Sequence, residues 1–188
     1  NVKSIKKSLI LKKLKLKKKS YFLISFHRYE NINNKERIDS FCNIIRVLNK
    51  NFNKRIIISY HPSLRSKLDI KKLFKNNPNI SFLDPFSYFD YCKLQINSFF
   101  TLSDSGSISE ESSILGFKAI SIRYSIERQE ATESGYTPIS GLDINRILNL
   151  IKFNNTLTSS AKSIFPIEYS IFDTSKRFIN ILLGINYK

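Results

Sequence analysis

Cysteine and glycine are scarce in this chain of 188 residues, which has two cysteines, five glycines, no methionine and no tryptophan. The cysteines, Cys42 and Cys92, are too few for a disulfide framework or a cysteine metal cluster. No signal-peptide pattern is present in this lysine-rich sequence, so a reducing cytoplasm is the expected compartment.

The sequence also lacks the glycine motifs of several large enzyme classes. It has no Gly-x-x-x-x-Gly-Lys-Ser/Thr, no Gly-x-Gly-x-x-Gly and no Gly-x-Ser-x-Gly, which argues against a P-loop ATPase, a dinucleotide oxidoreductase and a nucleophile-elbow hydrolase. Two histidines without a cysteine or a paired carboxylate nearby are a weak metal signal. Because no apolar run approaches the roughly 20 residues that span a bilayer, membrane insertion is not expected.

Acidic residues are few: 15 Asp and Glu stand against 31 Lys and Arg, which gives a net charge of +16. More than half of this excess lies in residues 1–20, which hold nine lysines and no acid. The remaining lysines occur singly, on what are expected to be solvated helix faces. A single basic segment does not make a nucleic-acid surface, so no nucleic-acid partner is expected.

The basic segment has a loose helical pattern from Ser4 to Leu16, with apolar residues among the lysines. Two interpretations are open: a linker helix, or a basic surface helix for anionic membranes. The irregular apolar spacing favours the linker. We therefore predict a basic linker segment over residues 1–19 and one domain over residues 20–188.

A hydrophobic fraction of 41%, with 15 Phe and 9 Tyr, indicates a globular domain that buries a substantial core. Short apolar strands are predicted at Tyr21–Phe26, Arg55–Ser59, Ile80–Leu83, Phe99–Ser103 and Lys118–Ile122. Helical patterns are predicted around Ile38–Leu48, up to Phe74, and at Tyr88–Ser98, Asp143–Phe153 and Phe172–Leu183. Strands that alternate with helices predict the α/β class with a doubly wound parallel sheet.

Polar side chains follow four of these strands where they end: His27, Arg28, His61, Asp104, Ser105 and Arg123. In a doubly wound sheet, ligands bind beyond the carboxyl ends of the strands. Because parallel strands end at the same edge, the sequence predicts one ligand site at that edge.

The stretch from Phe99 to Gly116 is expected to organise this site. It reads as a strand, a tight turn at Asp104-Ser105-Gly106, and a helix with Glu110 and Glu111 in its first turn. Backbone N–H groups and a helix N-terminus at such a turn suit a phosphate, while a glutamate can accept from a ribose diol. Taken alone, the stretch also fits an ordinary strand-to-helix corner with capping serines.

The basic residues at the edge allow functional and structural interpretations. His27, flanked by Arg28 and Glu30, could pair with a phosphate or move a proton, or be structural; His61 could simply end its strand. Arg123 and Arg128 are candidate phosphate clamps, because a guanidinium offers a fork of donors. Alternatively, Arg128 belongs to a surface ion-pair cluster with Glu127 and Glu130.

Several linked motifs resemble one family, the non-hydrolysing UDP-N-acetylglucosamine 2-epimerases, over about residues 20–150. The motifs are Ser-Phe-His27-Arg28-Tyr-Glu30-Asn31, Tyr60-His61-Pro62, Phe89-Asp-Tyr91-Cys-Lys-Leu-Gln95, Ser103-Asp-Ser-Gly-Ser-Ile-Ser-Glu-Glu-Ser-Ser-Ile-Leu-Gly116 and Arg123 to Glu130. Their wording looks most like the branch that epimerises UDP-2-acetamido-2,6-dideoxy-L-talose to the L-fucose sugar, for capsule or O-antigen.

The resemblance implies a Rossmann-like half of a GT-B-type architecture, with the UDP-sugar between two domains and this chain as the second. It places the UDP phosphates on Ser105 and Gly106, with His27, the catalytic candidate, and Arg28 nearby. Glu111 would take the ribose hydroxyls, Tyr91 would lie against the uracil, and Arg128 would also bind UDP. Further residues of the site are expected to be His61, Glu110, Arg123 and Glu130.

The family reaction removes the proton at C2, expels UDP, and adds UDP back to the glycal with the opposite configuration at C2. No metal or redox cofactor is implied, and a homodimer is possible. Gln129 stands where relatives usually have Pro, and the catalytic carboxylates of the family lie mostly in the first domain, which is expected outside this sequence. Three interpretations therefore stand: the UDP-sugar-binding half of an epimerase, a remnant that only binds UDP, or a related glycosyltransferase.

Overall fold

The computed structural model describes residues 2–62, 70–125, 127, 129–156, 166–170 and 173–184. Its centre is a fully parallel five-stranded sheet of strands β1 (Tyr21–Ser25), β2 (Arg55–Ser59), β3 (Ile80–Leu83), β4 (Phe100–Ser103) and β5 (Ala119–Ser121). The strand order is β3-β2-β1-β4-β5. The predicted α/β class, the five strands and the doubly wound parallel sheet are confirmed, with each boundary within about two residues.

The register of the sheet puts the strand ends in one row. Ser25 at the end of β1 pairs with Ser59 of β2 and with Ser103 of β4, and Ser103 pairs with Ser121 of β5. Whatever follows these serines therefore emerges at a single edge. Small side chains in this row leave room for the residues beyond it.

Helices cover both faces of the sheet. They are α1 (Val2–Lys7), α2 (Ile10–Lys13), α3 (Tyr29–Ile32), α4 (Lys35–Asn51), α5 (Ile70–Leu73), α6 (Tyr88–Asn97), α7 (Ile108–Leu115), α8 (Glu130–Glu133), α9 (Ile144–Thr156) and α10 (Thr174–Gly184), with a 3₁₀ turn at Ile167–Ser170. α9 begins one residue after the predicted Asp143, because the Asp143 carboxylate accepts from the N–H groups of Asn145 and Arg146 and so caps the helix. Phe172, the predicted start of the last helix, lies outside the described residues.

The core follows the alternation of side chains along the strands. Phe22 and Ile24 of β1 face α4 and α9, whereas Tyr21 and Leu23 face α6. All five residues of β1 are buried, as expected for a central strand covered on both faces. Burial of each such large apolar side chain stabilises the fold by about 1.5–3 kcal/mol.

The described part of the basic N-terminal segment, residues 2–19, lies against α6. Its apolar residues Ile5, Ile10 and Leu16 are buried, and the hydroxyl of Ser8 donates to the carboxylate of Asp90 at the start of α6. The predicted loose helix is two short helices, because the chain turns between them. None of the helices that the structure describes is long and apolar enough to cross a bilayer.

Candidate functional site

A buried carboxylate organises the edge where the strands end. Asp104 follows β4 and has no exposed surface. Its oxygens accept from the backbone N–H groups of His27 and Arg28 at 2.9–3.1 Å and from the side-chain amide of Asn31 at 3.0 Å. Asp104 thereby fixes the loop after β1, which carries two basic side chains of the site, His27 and Arg28.

The same carboxylate holds the imidazole of His27, whose Nδ1 lies 3.1 Å from Asp104 Oδ1. The hydrogen bond to Asp104 raises the pKa of His27 above its ordinary value of 6.5, although burial opposes the change. Burial alone would raise the pKa of Asp104, but the hydrogen bond and charge of His27, with the N–H of Arg28, hold it below 3.8. The pair therefore favours an imidazolium beside an ionised carboxylate, which suits contact with an anion.

Two arginines converge on the turn that follows β4. A Cβ built on Gly106 would lie 3.5 Å from Nη2 of Arg28 and 3.6 Å from Nη1 of Arg123. The two guanidinium groups come from the loops after β1 and β5, and Gly106 lies just before the N-terminus of α7. The absence of a side chain at Gly106 keeps the space between the guanidinium groups and the turn accessible.

Arg123 is 4% exposed and donates through both terminal nitrogens to Glu127, at 2.7 and 3.0 Å. Glu127 also lies 3.9 Å from Arg28, and its own side chain is 69% exposed. The hydrogen bond from Arg123 holds the pKa of Glu127 below its ordinary value. A carboxylate in this bidentate position shows that the Arg123 fork is oriented to bind an oxyanion.

A cleft of about 410 Å³ opens beside these residues and is lined by Ser25, His27, Ser59, His61, Pro85, Phe86, Tyr88, Tyr91, Ser105 and Glu111. The rings of Phe86 and Tyr91 lie 6.5 Å apart at an angle of 23° and form an aromatic wall. Burial raises the pKa of Tyr91 well above its ordinary value, so this phenol remains neutral. The His27 and His61 rings are 5.8 Å apart on the same cleft.

Glu111 is the acidic side chain among those cleft-lining residues. Its Oε1 accepts from the hydroxyl of Ser107 at 2.8 Å, and its Oε2 accepts from the side-chain amide of Gln95 at 2.5 Å. Glu111 is one turn inside α7, so its charge also stabilises the helix N-terminus. The cleft thus has basic groups at the turn, one oriented carboxylate, and an aromatic wall.

Most of the residues predicted from the sequence come together at this edge. The cleft brings together His27, His61, Tyr91, Ser105 and Glu111, and the neighbouring arginine pair brings together Arg28, Gly106 and Arg123. Glu110 lies in α7 and Glu130 begins α8, and neither is one of the residues that line the cleft. Arg128 lies outside the described residues, and the roles of all these side chains stay predictions.

Two residues of the site were absent from the predicted set: Ser107 and Gln95, the partners of Glu111. Asp104 was predicted at the ligand edge because it directly follows a buried strand, but its role as the organising carboxylate was not predicted. Gln95 gave no such signal, since its contact with Glu111 joins two different helices. No group of three potential metal ligands occurs in the described part of the chain.

The sequence model of one family, described as UDP-N-acetylglucosamine 2-epimerase, matches residues 1–183. The UDP-N-acetylglucosamine 2-epimerase of Methanocaldococcus jannaschii is 33% identical over 135 residues, which are 70% of this chain and 37% of that protein. The chain spans about half the length, or less, of the curated relatives it matches.

Solved structures of the same family are similar to this chain as well. The chain is similar to a UDP-N-acetylglucosamine 2-epimerase from Rickettsia bellii, with 37% identity, a TM-score of 0.79, and coverage of 97% of this chain and 49% of that one. It is also similar to the M. jannaschii enzyme in complex with UDP-GlcNAc and UDP, with 27% identity, a TM-score of 0.80, and coverage of 97% and 51%. An E. coli heptosyltransferase, 14% identical over 73% of this chain and 44% of that one with a TM-score of 0.53, shares the fold alone.

Proposed function

This chain belongs to the UDP-N-acetylglucosamine 2-epimerase family, and we propose that it binds the UDP portion of a UDP-2-acetamido sugar for inversion at C2. The sheet is one Rossmann-like half of a GT-B-type architecture. In this proposal residues 20–188 are the UDP-sugar-binding domain, and the basic N-terminal segment links it to a first domain. The sugar would lie between the two domains.

The observation that carries the proposal is the convergence of Arg28 and Arg123 on Gly106, beside the His27–Asp104 pair. A diphosphate has two charged groups and needs several donors from different directions. Guanidinium forks, an imidazolium and the N-terminus of α7 together supply them. Three separate strands deliver these groups to one place, which a random distribution of surface charge would not do.

The rest of the cleft suits the nucleoside. The carboxylate of Glu111 is oriented to accept hydrogen bonds, which are what the vicinal hydroxyls of a ribose donate. Phe86 and Tyr91 offer an aromatic surface of the kind that stacks on a base. A nucleoside diphosphate would therefore run from the arginines, past Glu111, to the aromatic wall.

The same residues support the proposed chemistry. When the C2 proton is removed and the bond between C1 and the β-phosphate oxygen breaks, the electron pair of that bond goes to UDP. Arg28, Arg123 and the imidazolium of His27 would stabilise the negative charge that develops there. Re-addition of UDP to C1 of the glycal, with a proton delivered to the opposite face of C2, re-forms the broken bond and inverts C2, so the same groups would position UDP for it.

Removal of the C2 proton requires a base, which we assign to the first domain. A second candidate is a chain that binds UDP without turnover on its own. Transfer of the sugar to an acceptor, the glycosyltransferase alternative, rests on the shared fold alone. Assay of epimerisation and of sugar transfer, with a first domain added, separates these candidates.

The sequence around Tyr91 and Ser105 supports the branch of the family that makes the L-fucose sugar for capsule or O-antigen. We expect the protein in the cytoplasm, where UDP-sugars are made, with a homodimer as a possible assembly.

The direct test is calorimetric titration of the chain with UDP, in moderate salt so that the basic N-terminal segment contributes little. Saturable one-to-one binding is expected. Glu111→Ala should weaken the binding of UDP by about 1–3 kcal/mol, because it removes the carboxylate that accepts from the ribose hydroxyls. The matched control is Glu36→Ala, because Glu36 lies in the first turn of α4 and is not one of the residues that line the cleft.

If both variants bind UDP like the parent chain, Glu111 is not in the site. If the parent chain does not bind UDP at millimolar concentration, the proposal fails for the isolated chain. Binding without epimerase activity, before and after addition of a first domain, would establish the binding-only candidate instead.

A further inference from the structure

Gln95 is a buried polar residue that the proposed chemistry does not use. We propose that it is a positioning residue: its amide orients the carboxylate of Glu111 and thereby makes the site prefer ribose over 2′-deoxyribose. The inference rests on the proposed UDP site. In this inference Gln95 does not contact the ligand, but it determines how well the ribose of the ligand is recognised.

The contact joins two helices. Gln95 lies near the end of α6 and has no exposed surface, and its Nε2 donates to Oε2 of Glu111 in the first turn of α7. Ser107, just before α7, donates to the other oxygen, Oε1, at 2.8 Å. One donor on each oxygen fixes the rotation of the carboxylate about its last side-chain bond.

A fixed carboxylate matters because of what a ribose presents. Its 2′ and 3′ hydroxyls are adjacent donors, so they bind best to two acceptor oxygens in one plane. Each carboxylate oxygen has a second lone pair after accepting from Gln95 or Ser107. A freely rotating carboxylate would have to be ordered at the moment of binding, which weakens binding.

A purely structural role explains Gln95 less well. Its Oε1 is buried without a hydrogen-bond partner among the described residues, and such an unsatisfied acceptor is unfavourable for stability. An apolar side chain of the same length would fill the space without that cost. The amide donor, which points to the acidic side chain of the cleft, is what an apolar residue could not provide.

The test replaces Gln95 by Met, which has a similar length but no donor, and measures the affinities for UDP and 2′-deoxy-UDP by calorimetry. The parent chain is expected to prefer UDP, since 2′-deoxy-UDP lacks one of the two donors. Gln95→Met should weaken the binding of UDP about tenfold, which is the loss expected when a charge-assisted contact is disordered. It should change the affinity for 2′-deoxy-UDP by less than about threefold.

Two further variants make the result specific. Ser98→Ala removes a buried hydroxyl that donates to the backbone of Gln95, and it should leave the preference for UDP unchanged. Ser107→Ala removes the second donor to Glu111 from a half-buried position, so it should reduce the preference even if Gln95→Met does not fold.

A double-mutant cycle locates the effect. In a Glu111→Ala background, Gln95→Met should cause no further loss of UDP affinity, because the carboxylate it orients is gone. Additive losses, or a retained UDP preference in both Gln95→Met and Ser107→Ala, would overturn the inference and leave the proposed function intact. If the parent chain does not bind UDP, both fail together.

Discussion

The two ends of the parallel sheet both carry positive charge, and they use it differently. At the amino end, Lys19, Lys54 and Lys118 lie within two residues of the starts of β1, β2 and β5. At the carboxyl end, His27, Arg28 and Arg123 follow β1 and β5. The number of cations is similar, but their surroundings are not.

At the amino end each ammonium group already has its partners. Lys54 donates to the carbonyl of Lys19 at 2.9 Å and lies 4.2 Å from the ring centre of Phe99. Lys118 donates to the carbonyl of Asn154 and lies 5.5 Å from the ring centre of Phe100. Burial, and then the charge of Lys118, lower the pKa of Lys19. These lysines cover the core at the amino end of the sheet.

At the carboxyl end the cations surround an accessible space instead. Arg28 and Arg123 approach Gly106, which has no side chain, and the acid bound to Arg123, Glu127, is mostly exposed. Charge alone therefore does not mark an anion site. We propose that donors that converge from several strands on a position without a side chain do mark one, and the following changes test this difference.

The largest effect is expected from Asp104→Asn. The substitution removes the charge that accepts from His27, Arg28 and Asn31, so we expect a loss of about 3 kcal/mol of folding free energy and a large loss of UDP affinity. Chemical denaturation and calorimetry measure the two. Asp90→Asn should cost far less, because the carboxylate of Asp90 accepts from Ser8 and is not one of the residues that line the cleft. Equal effects of the two variants would mean that Asp104 does not organise the site.

Gly106→Val should separate binding from folding. The backbone of Gly106 is outside the left-handed region, and its Cβ position is free of close contacts, so the fold should tolerate a side chain. The valine methyl groups would occupy the space between the two guanidinium groups, and UDP affinity should fall about 100-fold, or 2.7 kcal/mol. The thermal midpoint should stay within about 4 °C of the parent value.

Gly106→Ala gives an intermediate case, since its single methyl group lies at ordinary contact distance from Arg28 and Arg123. Its UDP affinity should lie between those of the parent chain and Gly106→Val. Tight UDP binding by the valine variant would show that phosphate does not lie on this turn.

A pair of matched substitutions compares the two ends directly. Arg28→Gln should weaken the binding of UDP about tenfold, because one charge-assisted hydrogen bond is lost. The stability of the fold should change little. Lys54→Gln should leave UDP affinity unchanged and cost up to about 1 kcal/mol of folding free energy, because it removes a cation from the Phe99 ring. The same ranking by calorimetry and denaturation should persist at several salt concentrations. If Lys54→Gln weakens UDP as much as Arg28→Gln does, the effect is general charge rather than a site.

The sequence predicted the sheet and the edge well because both depend on local patterns. Short apolar runs such as Arg55–Ser59 predict buried parallel strands, and the residues that follow them must lie at one edge. Which of those residues contact each other was not predictable. The contact between Asp104 and His27 joins residues 77 positions apart, and the contact between Gln95 and Glu111 joins two helices.

The basic N-terminal segment shows a second limit. Its apolar residues fit no single helical period, which favoured a linker over a membrane-surface helix. In the structure two short helices bury Ile5 and Ile10, and Leu16 is buried after the second helix. Ile10 and Leu16 pack with residues of α6 and the sheet. A pattern search with one fixed period misses such a segment, because each short helix contributes only one buried position.

The smallest expected effect is the pH dependence of the His27–Asp104 pair, which has no counterpart at the amino end. The hydrogen bond to Asp104 raises the pKa of His27 above 6.5, so the imidazolium is the form that the fold stabilises. Its contribution should be fully present below pH 6.5 and disappear as pH rises through the raised pKa of the folded protein. The difference in thermal midpoint between the parent chain and His27→Gln should decrease by less than about 4 °C across this pH range. The subtraction removes the titration of all other groups, and proton NMR of the His27 ring gives the pKa itself. A His27 pKa at or below 6.5 would show that Asp104 holds the loop backbone but not a charged imidazole, and the phosphate would then depend on the two arginines.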